Sequence, residues 1–204
     1  MIDYLRDPAA IYRRSFEIIR AEADFSRLPA DAEEVATRII HACGMPEIAS
    51  DLRISSTFVG AAKAALAAGA PVLVDAEMVR HGIIDKQLNL ICTLNDPRAR
   101  EIGLATGNTR SAAAVELWRT HLAGSIAVIG NAPTALFALL EMIDAGAPKP
   151  AAIVGFPVGF VGAAESKDAL HANPRGIPYA TLLGRRGGSA MAASVINALM
   201  RGAQ

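Results

Sequence analysis

Ala151-Ala152-Ile153-Val154-Gly155-Phe156 runs directly into Pro157-Val158-Gly159-Phe160-Val161-Gly162-Ala163-Ala164-Glu165-Ser166-Lys167-Asp168-Ala169-Leu170. The first six residues are apolar throughout and do not alternate, the pattern of a strand covered on both faces. The residues after them carry much glycine and little bulk until a helical sequence begins near Glu165. Such a strand-to-helix loop lays backbone, not side chains, against a ligand. A second junction of this kind occurs where Tyr179-Ala180-Thr181-Leu182-Leu183 meets Gly184-Arg185-Arg186-Gly187-Gly188-Ser189-Ala190. The two loops are expected to line one pocket.

Outward from these junctions, residues 71–75, 89–94 and 125–129 form three more apolar runs, with helical patterns between the five: 76–81, 97–105, 110–122, 134–145, 165–172 and 188–200. Strands alternating with helices predict an α/β fold with a doubly wound, five-stranded parallel sheet, and the flavodoxin-like order is the simplest arrangement. Ligands of such sheets lie beyond the carboxyl ends of the strands, where both glycine loops and Gly130-Asn131-Ala132-Pro133-Thr134 fall. Extra helices precede the sheet. Asp7-Pro8 caps and opens one, with Tyr12, Phe16, Ile19 and Ala23 as its stripe; Asp31 and Glu34 have capping-box spacing for a second that stops before Gly44; a third covers 56–68. The chain is expected to be one domain, 1–204, with N-terminal helices over 7–69 and the sheet over 70–201.

The 204 residues suffice for a domain that buries about 70% of the surface its unfolded chain exposes. They are 52% hydrophobic and only 5% aromatic, so alanine and aliphatic residues build the interior. Twenty basic and twenty acidic residues cancel, which argues against a nucleic-acid surface built on phosphate contacts. A near-neutral, alanine-rich surface favours self-association, and a homodimer is expected. Met1-Ile2-Asp3-Tyr4-Leu5-Arg6-Asp7 lacks the apolar core of a signal peptide, and charges and prolines interrupt the apolar region 125–164. No membrane association is expected. Cys43 and Cys92 show no metal-ligand spacing, and reduced thiols in a cytoplasmic location are expected.

On the second helix Val35, Ile39 and Ala42 are expected to form the apolar face, while Glu34, Arg38 and His41 recur at i, i+4 and i+7 on a neighbouring stripe. An imidazole therefore stands beside a guanidinium near a helix end. Spacing alone also describes a half-exposed surface stripe. His81, His121 and His171 read as helix-end residues. H-x-x-H, C-x-x-C and H-E-x-x-H are all absent, so no metal is expected; G-x-S-x-G is absent too, and Gly155, Gly159 and Gly162 do not make the dinucleotide fingerprint. Lys167 does not follow a glycine as a phosphate-loop lysine does. Arg38, Arg110 after Gly107-Asn108-Thr109, and Arg185-Arg186 suggest a local positive pocket for a ligand bearing several carboxylates.

Taken together, Tyr12-Arg13-Arg14-Ser15-Phe16, Arg38-Ile39-Ile40-His41-Ala42-Cys43-Gly44, Val74-Asp75-Ala76-Glu77-Met78-Val79, Gly107-Asn108-Thr109-Arg110-Ser111-Ala112-Ala113, Gly130-Asn131-Ala132-Pro133-Thr134, 157–170 and Gly187-Gly188-Ser189-Ala190 resemble the precorrin-8X methylmutase family, in order and across the whole chain. The resemblance implies a homodimeric isomerase of cobalamin biosynthesis. Its reaction would be the intramolecular shift of a methyl group from C-11 to C-12 of precorrin-8X, giving hydrogenobyrinate, with no cofactor. It also implies that His41 is the catalytic histidine, and that Ser15, Arg38 and Arg110 contact substrate. A proton or strong hydrogen bond from an imidazole would draw electron density toward a ring nitrogen during the shift. Gly159, Gly162 and Ala163 are expected to add a flat wall for the macrocycle, with packing between subunits as the alternative explanation of the same small residues. Two other readings remain open on the residues: a non-catalytic corrinoid carrier, and a flavodoxin-like binder of a nucleotide or flavin phosphate. The cobalt-precorrin-8 methylmutase of the anaerobic branch is the near relative. The H-A-C-G setting and the G-N-A-P-T loop look more like the metal-free branch.

Overall fold

The computed structural model describes residue 2 and residues 4–201; residues 1, 3 and 202–204 of the expected 1–204 domain lie outside the described residues. α1 (Pro8–Glu22) opens as its D-P pair predicts, with Asp7 accepting from the Ala10 N–H at 2.7 Å and Pro8 in the first turn, where no N–H partner is needed. Of this helix only Ile19 is buried, so α1 lies on the outside of the molecule. α2 (Glu33–Cys43) differs from expectation at its start. Residues Ala30–Ala32 form a 3-10 turn ahead of it, and no side chain caps it; the carboxylate of Glu34 bonds Arg20 and Arg38 instead. Its buried face is Val35, Ala36, Ile39 and Ile40, whereas Ala42 is exposed. Gly44 ends it at φ 69°, donating its N–H to the Ile40 carbonyl at 2.7 Å.

A 3-10 segment (Pro46–Asp51) follows, then β1 (Leu52–Ile54), α3 (Phe58–Ala67), β2 (Val72–Val74), α4 (Glu77–Gly82), β3 (Leu90–Ile91), α5 (Pro97–Thr106) and α6 (Arg110–Glu116). The remainder alternates as β4 (Ile126–Ile129), α7 (Pro133–Asp144), β5 (Ala152–Gly155), α8 (Ala163–Ala172), β6 (Tyr179–Leu182) and α9 (Ser189–Arg201). The helix expected to run to residue 122 stops at Glu116 and continues as turns.

One sheet carries the strands in the order β1-β6-β5-β4-β2-β3. The five expected strands are present and mutually parallel, and numbered among themselves they follow the order of a flavodoxin-like sheet. The five-stranded, all-parallel expectation is corrected by β1, which adds a sixth strand antiparallel to β6 with Leu52 opposite Leu182 and Ile54 opposite Ala180. Three residues are too short a run to show a period. The strand exists through its partner, and the pairing extends to Ser55, whose N–H donates to the Tyr179 carbonyl at 2.9 Å.

Strand alternation sends side chains to two cores. Val72, Val74, Ile126, Val128, Val154 and Leu182 face the layer holding α2, α3 and α9. Leu73, Ala127, Ile129 and Ile153 face α6 and α7, where Trp118 is fully buried. The sheet is thus covered on both sides, which explains why its runs are apolar throughout. α2 packs along α9, and α1 rests on α2, outside the sheet's own layers.

Candidate active site

α1 and α2 bring the first group of residues together. Ser15 Oγ lies 3.1 Å from His41 Nδ1. The rings of Tyr12 and Phe16 flank the imidazole at centroid distances of 5.4 and 5.5 Å. Ser15 and Phe16 each lie about one turn from Tyr12, so a single face of α1 meets the i, i+4, i+7 stripe of α2. Arg38 lies over the same two rings, 4.8 Å from the Phe16 centroid and 5.8 Å from that of Tyr12, while its Nε donates to Glu34 Oε1 at 3.2 Å. Glu34 and Glu33 also hold Arg20. Arg38 is largely covered, with 12% of its side chain exposed, so its charge is answered by Glu34 and by two aromatic faces, not by water alone.

Two shallow hollows flank this contact. One, of about 210 Å³, is lined by Ser15, Ile19, Ile40, His41, Gly44 and Pro46. The other, of about 270 Å³, is lined by Tyr12, Arg13, Phe16, Glu17, Arg20 and Arg38. His41 is exposed, and among the described residues Nε2 has no hydrogen-bond partner. In the neutral ring, a Ser15 hydroxyl donating to Nδ1 leaves the proton on Nε2, free to donate outward.

The second group lies at the carboxyl ends of β4, β5 and β6. Its loops are laced together: the Gly188 N–H donates to the Phe156 carbonyl at 2.8 Å and the Gly159 N–H to the Arg185 carbonyl at 3.2 Å. The two glycine loops therefore lie against each other. At Gly187 a Cβ would come within 2.5 Å of the Phe156 carbonyl oxygen, so no larger residue fits that crossing unless the backbone moves. Gly162, at φ 79°, leads into α8 beside Pro133 and Phe137 of α7. Ala163 is buried beneath it, and Gly159 is partly exposed. Phe160 and Val161 stand out at 86% and 89% exposure, with the Arg185 guanidinium 5.3 Å from the Phe160 ring.

Arg110 opens α6 at this same end of the sheet, where Thr109 caps the helix and its hydroxyl donates to Thr134 Oγ1 at 2.8 Å. Its side chain is exposed and makes no ion pair among the described residues. No hydrogen bond, ion pair or ring contact among the described residues joins His41 to Arg110, Gly159, Gly162 or Ala163. Arg186 links the two groups, reaching from the second glycine loop to Glu47 at 3.0 Å and Asp51 at 3.2 Å in the segment just after α2, where the Leu183 N–H also donates to the Asp51 carbonyl at 3.0 Å.

Two residues with a structural hold on these loops were not singled out by sequence reasoning. Asp75, buried at the end of β2, accepts from the N–H groups of Gly130, Asn131 and Ala132 at 2.9, 3.0 and 2.8 Å. Burial pushes its carboxyl above the ordinary value, against the pull of those three N–H groups. A carboxylate directly after an apolar strand and before a helix was the available signal. The other is Lys167, buried on α8. Among the described residues no three His, Cys, Asp or Glu side chains gather as a metal site, and no helix is long and apolar enough to cross a membrane. Burial pushes the Cys92 thiol up to about 11 and raises that of Cys43, so both thiols stay protonated near neutral pH.

A family model described as Precorrin-8X methylmutase matches residues 10–202. The chain is 60% identical to the precorrin-8X methylmutase of Pseudomonas aeruginosa, covering 98% of each. It is 38% identical to the cobalt-precorrin-8 methylmutase of Methanothermobacter thermautotrophicus, covering 93% of this chain and 91% of that protein. A solved structure of the precorrin-8X methylmutase from Thermus thermophilus superposes with a TM-score of 0.84 at 36% identity, covering 95% of each chain.

Proposed function

The chain belongs to the precorrin-8X methylmutase family, and on that premise we propose that it is an isomerase of cobalamin biosynthesis that converts precorrin-8X to hydrogenobyrinate by moving a methyl group from C-11 to C-12. The observation that carries the mechanism is the Ser15–His41 contact at 3.1 Å, which orients an exposed imidazole at the edge of a hollow. The migrating methyl leaves one ring carbon and bonds to another of the same molecule, so no group enters or departs. What the protein supplies is a place and a hydrogen bond, or a proton that returns to the imidazole once the methyl has moved. Nε2–H donates toward a ring nitrogen as electron density shifts, a contribution of about 10²- to 10⁴-fold in rate.

Arg38 stands next to this proton donor with Glu34 as its partner. Substrate carboxylates that compete with Glu34 for Arg38 would seat an arm of the macrocycle beside the imidazole. Arg110, without an ion pair among the described residues, is a second contact for an acetate or propionate arm. Gly159 and Gly162 belong to the wall against which the macrocycle lies; Ala163, expected to share that wall, is fully buried and can only back it. The hollow at His41 is smaller than the roughly 300–1,000 Å³ of a pocket that encloses a drug-sized ligand, and the apolar Phe160 and Val161 project uncovered from the first glycine loop. A second copy of the chain, making a homodimer, would both cover these residues and deepen the site.

The higher identity to a precorrin-8X methylmutase than to a cobalt-precorrin-8 methylmutase, 60% against 38%, favours precorrin-8X over the cobalt-containing substrate. Incubation with excess precorrin-8X, and in parallel with cobalt-precorrin-8, tests the proposal through the absorption spectrum. Many equivalents of precorrin-8X should be converted, and faster than the cobalt form. A spectral change that stops at one equivalent would make the protein a carrier.

A further inference from the structure

Lys167 is fully buried on α8, yet its ammonium has one hydrogen-bond acceptor among the described residues, the Arg186 carbonyl at 2.6 Å. A cation so placed is an expensive choice for a core position, because it loses water and regains little. Burial accordingly lowers its pKa to about 8, with neighbouring Asp168 pulling the other way. Methionine would fill the same space without that penalty.

The acceptor explains the choice. Arg186 is held at both ends, its carbonyl by Lys167 and its guanidinium by Glu47 and Asp51. The residue before it receives the Gly159 N–H, and Gly188 donates to Phe156. The 184–188 loop is therefore tied to three places: α8 beneath the first glycine loop, the first glycine loop itself, and the segment that directly follows the helix of His41. Among these ties, Lys167 is the one that fixes the Arg186 backbone from below; without it the middle of the loop is held by the exposed Arg186 ion pairs and by the backbone bonds at Arg185 and Gly188 on either side.

We propose that Lys167 is a positioning residue that holds the 184–188 loop against the first glycine loop and the segment after α2, so that the glycine wall and His41 meet one ligand at a set separation. The effect on turnover rests on the function proposed above; the effect on the loops does not.

Lys167→Met and Lys167→Gln, the latter keeping a donor on a shorter arm, test this by hydrogen exchange, thermal melting and steady-state kinetics with precorrin-8X. In Lys167→Met, exchange of the Gly159 and Gly188 amides should quicken at least tenfold, with strands β4 and β5 unchanged and the melting temperature equal or higher. KM should rise at least fivefold, and Lys167→Gln should fall between the variant and the wild type in both readouts. Unchanged exchange in the two loops would overturn the proposal, as would a lower melting temperature with faster exchange throughout the molecule. Should the wild type fail to convert precorrin-8X, the exchange data still decide the role of Lys167, and only the substrate reading falls.

Discussion

The cleft between α1 and α2 and the loops at the end of the sheet are built on opposite terms. In the cleft His41 is exposed, and its bond to Ser15, like the ion pairs of Arg20 with Glu33 and Glu34, is open to water. At the sheet end the decisive polar groups, Asp75 and Lys167, are buried, and each spends its charge on loop backbone. On the proposed function, the difference separates two tasks: exposed groups placed to reach a ligand contribute little to stability, whereas the buried groups that hold the loops bear the cost of losing water.

If the separation holds, substitutions on the two sides should affect different measurements. His41→Ala should lower turnover by about 10²- to 10⁴-fold, while denaturant unfolding moves by no more than about 0.5 kcal/mol, as for an exposed side chain. A comparable fall in stability would merge the two regions. On the sheet side, the lysine at position 167 has a pKa of about 8 in the folded protein against 10.5 unfolded. Between those values the unfolded chain holds a proton that the folded chain has released, so stability rises as pH increases from 8 to 10.5. The rise amounts to about 3 kcal/mol at most. Lys167→Met should remove it, seen as a flatter stability-pH curve than that of the wild type.

Asp75→Asn sharpens the contrast further. One carboxylate oxygen serves Gly130 and the other both Asn131 and Ala132, so an amide leaves at least one N–H without an acceptor. A loss of about 1–3 kcal/mol is expected in urea unfolding. The smallest effect belongs to Ser15→Ala, which removes one exposed hydrogen bond to Nδ1. It should change stability by less than about 1 kcal/mol and lower kcat by up to about tenfold, through a less ordered imidazole, with KM nearly unchanged.

How far the sequence foretold this arrangement depends on whether a feature is local. The five parallel strands were legible because each is an uninterrupted apolar run, and α1 because Asp7-Pro8 caps it. The Glu34, Arg38, His41 stripe was legible from helical spacing, and Ser15 only through family resemblance, because nothing local says which residue of α1 faces α2. β1 was not legible: Leu52–Ile54 becomes a strand only against β6, far along the chain. The apparent Asp31/Glu34 capping box failed for a similar reason, since Arg20 and Arg38 compete for the same carboxylate. Lys167 did carry an overlooked signal. Ala163, Ser166, Lys167 and Leu170 follow helical periodicity and are the buried residues of α8, so the lysine was already on the inner face.

The most direct test of the account is a crystal structure with hydrogenobyrinate bound. His41 Nε2 should lie within about 2.6–3.2 Å of a nitrogen-side atom of the macrocycle, with Arg38 or Arg110 on its carboxylate arms. A macrocycle lodged away from the α1–α2 cleft, with the imidazole still turned to Ser15 and nothing within reach of its other nitrogen, would contradict it.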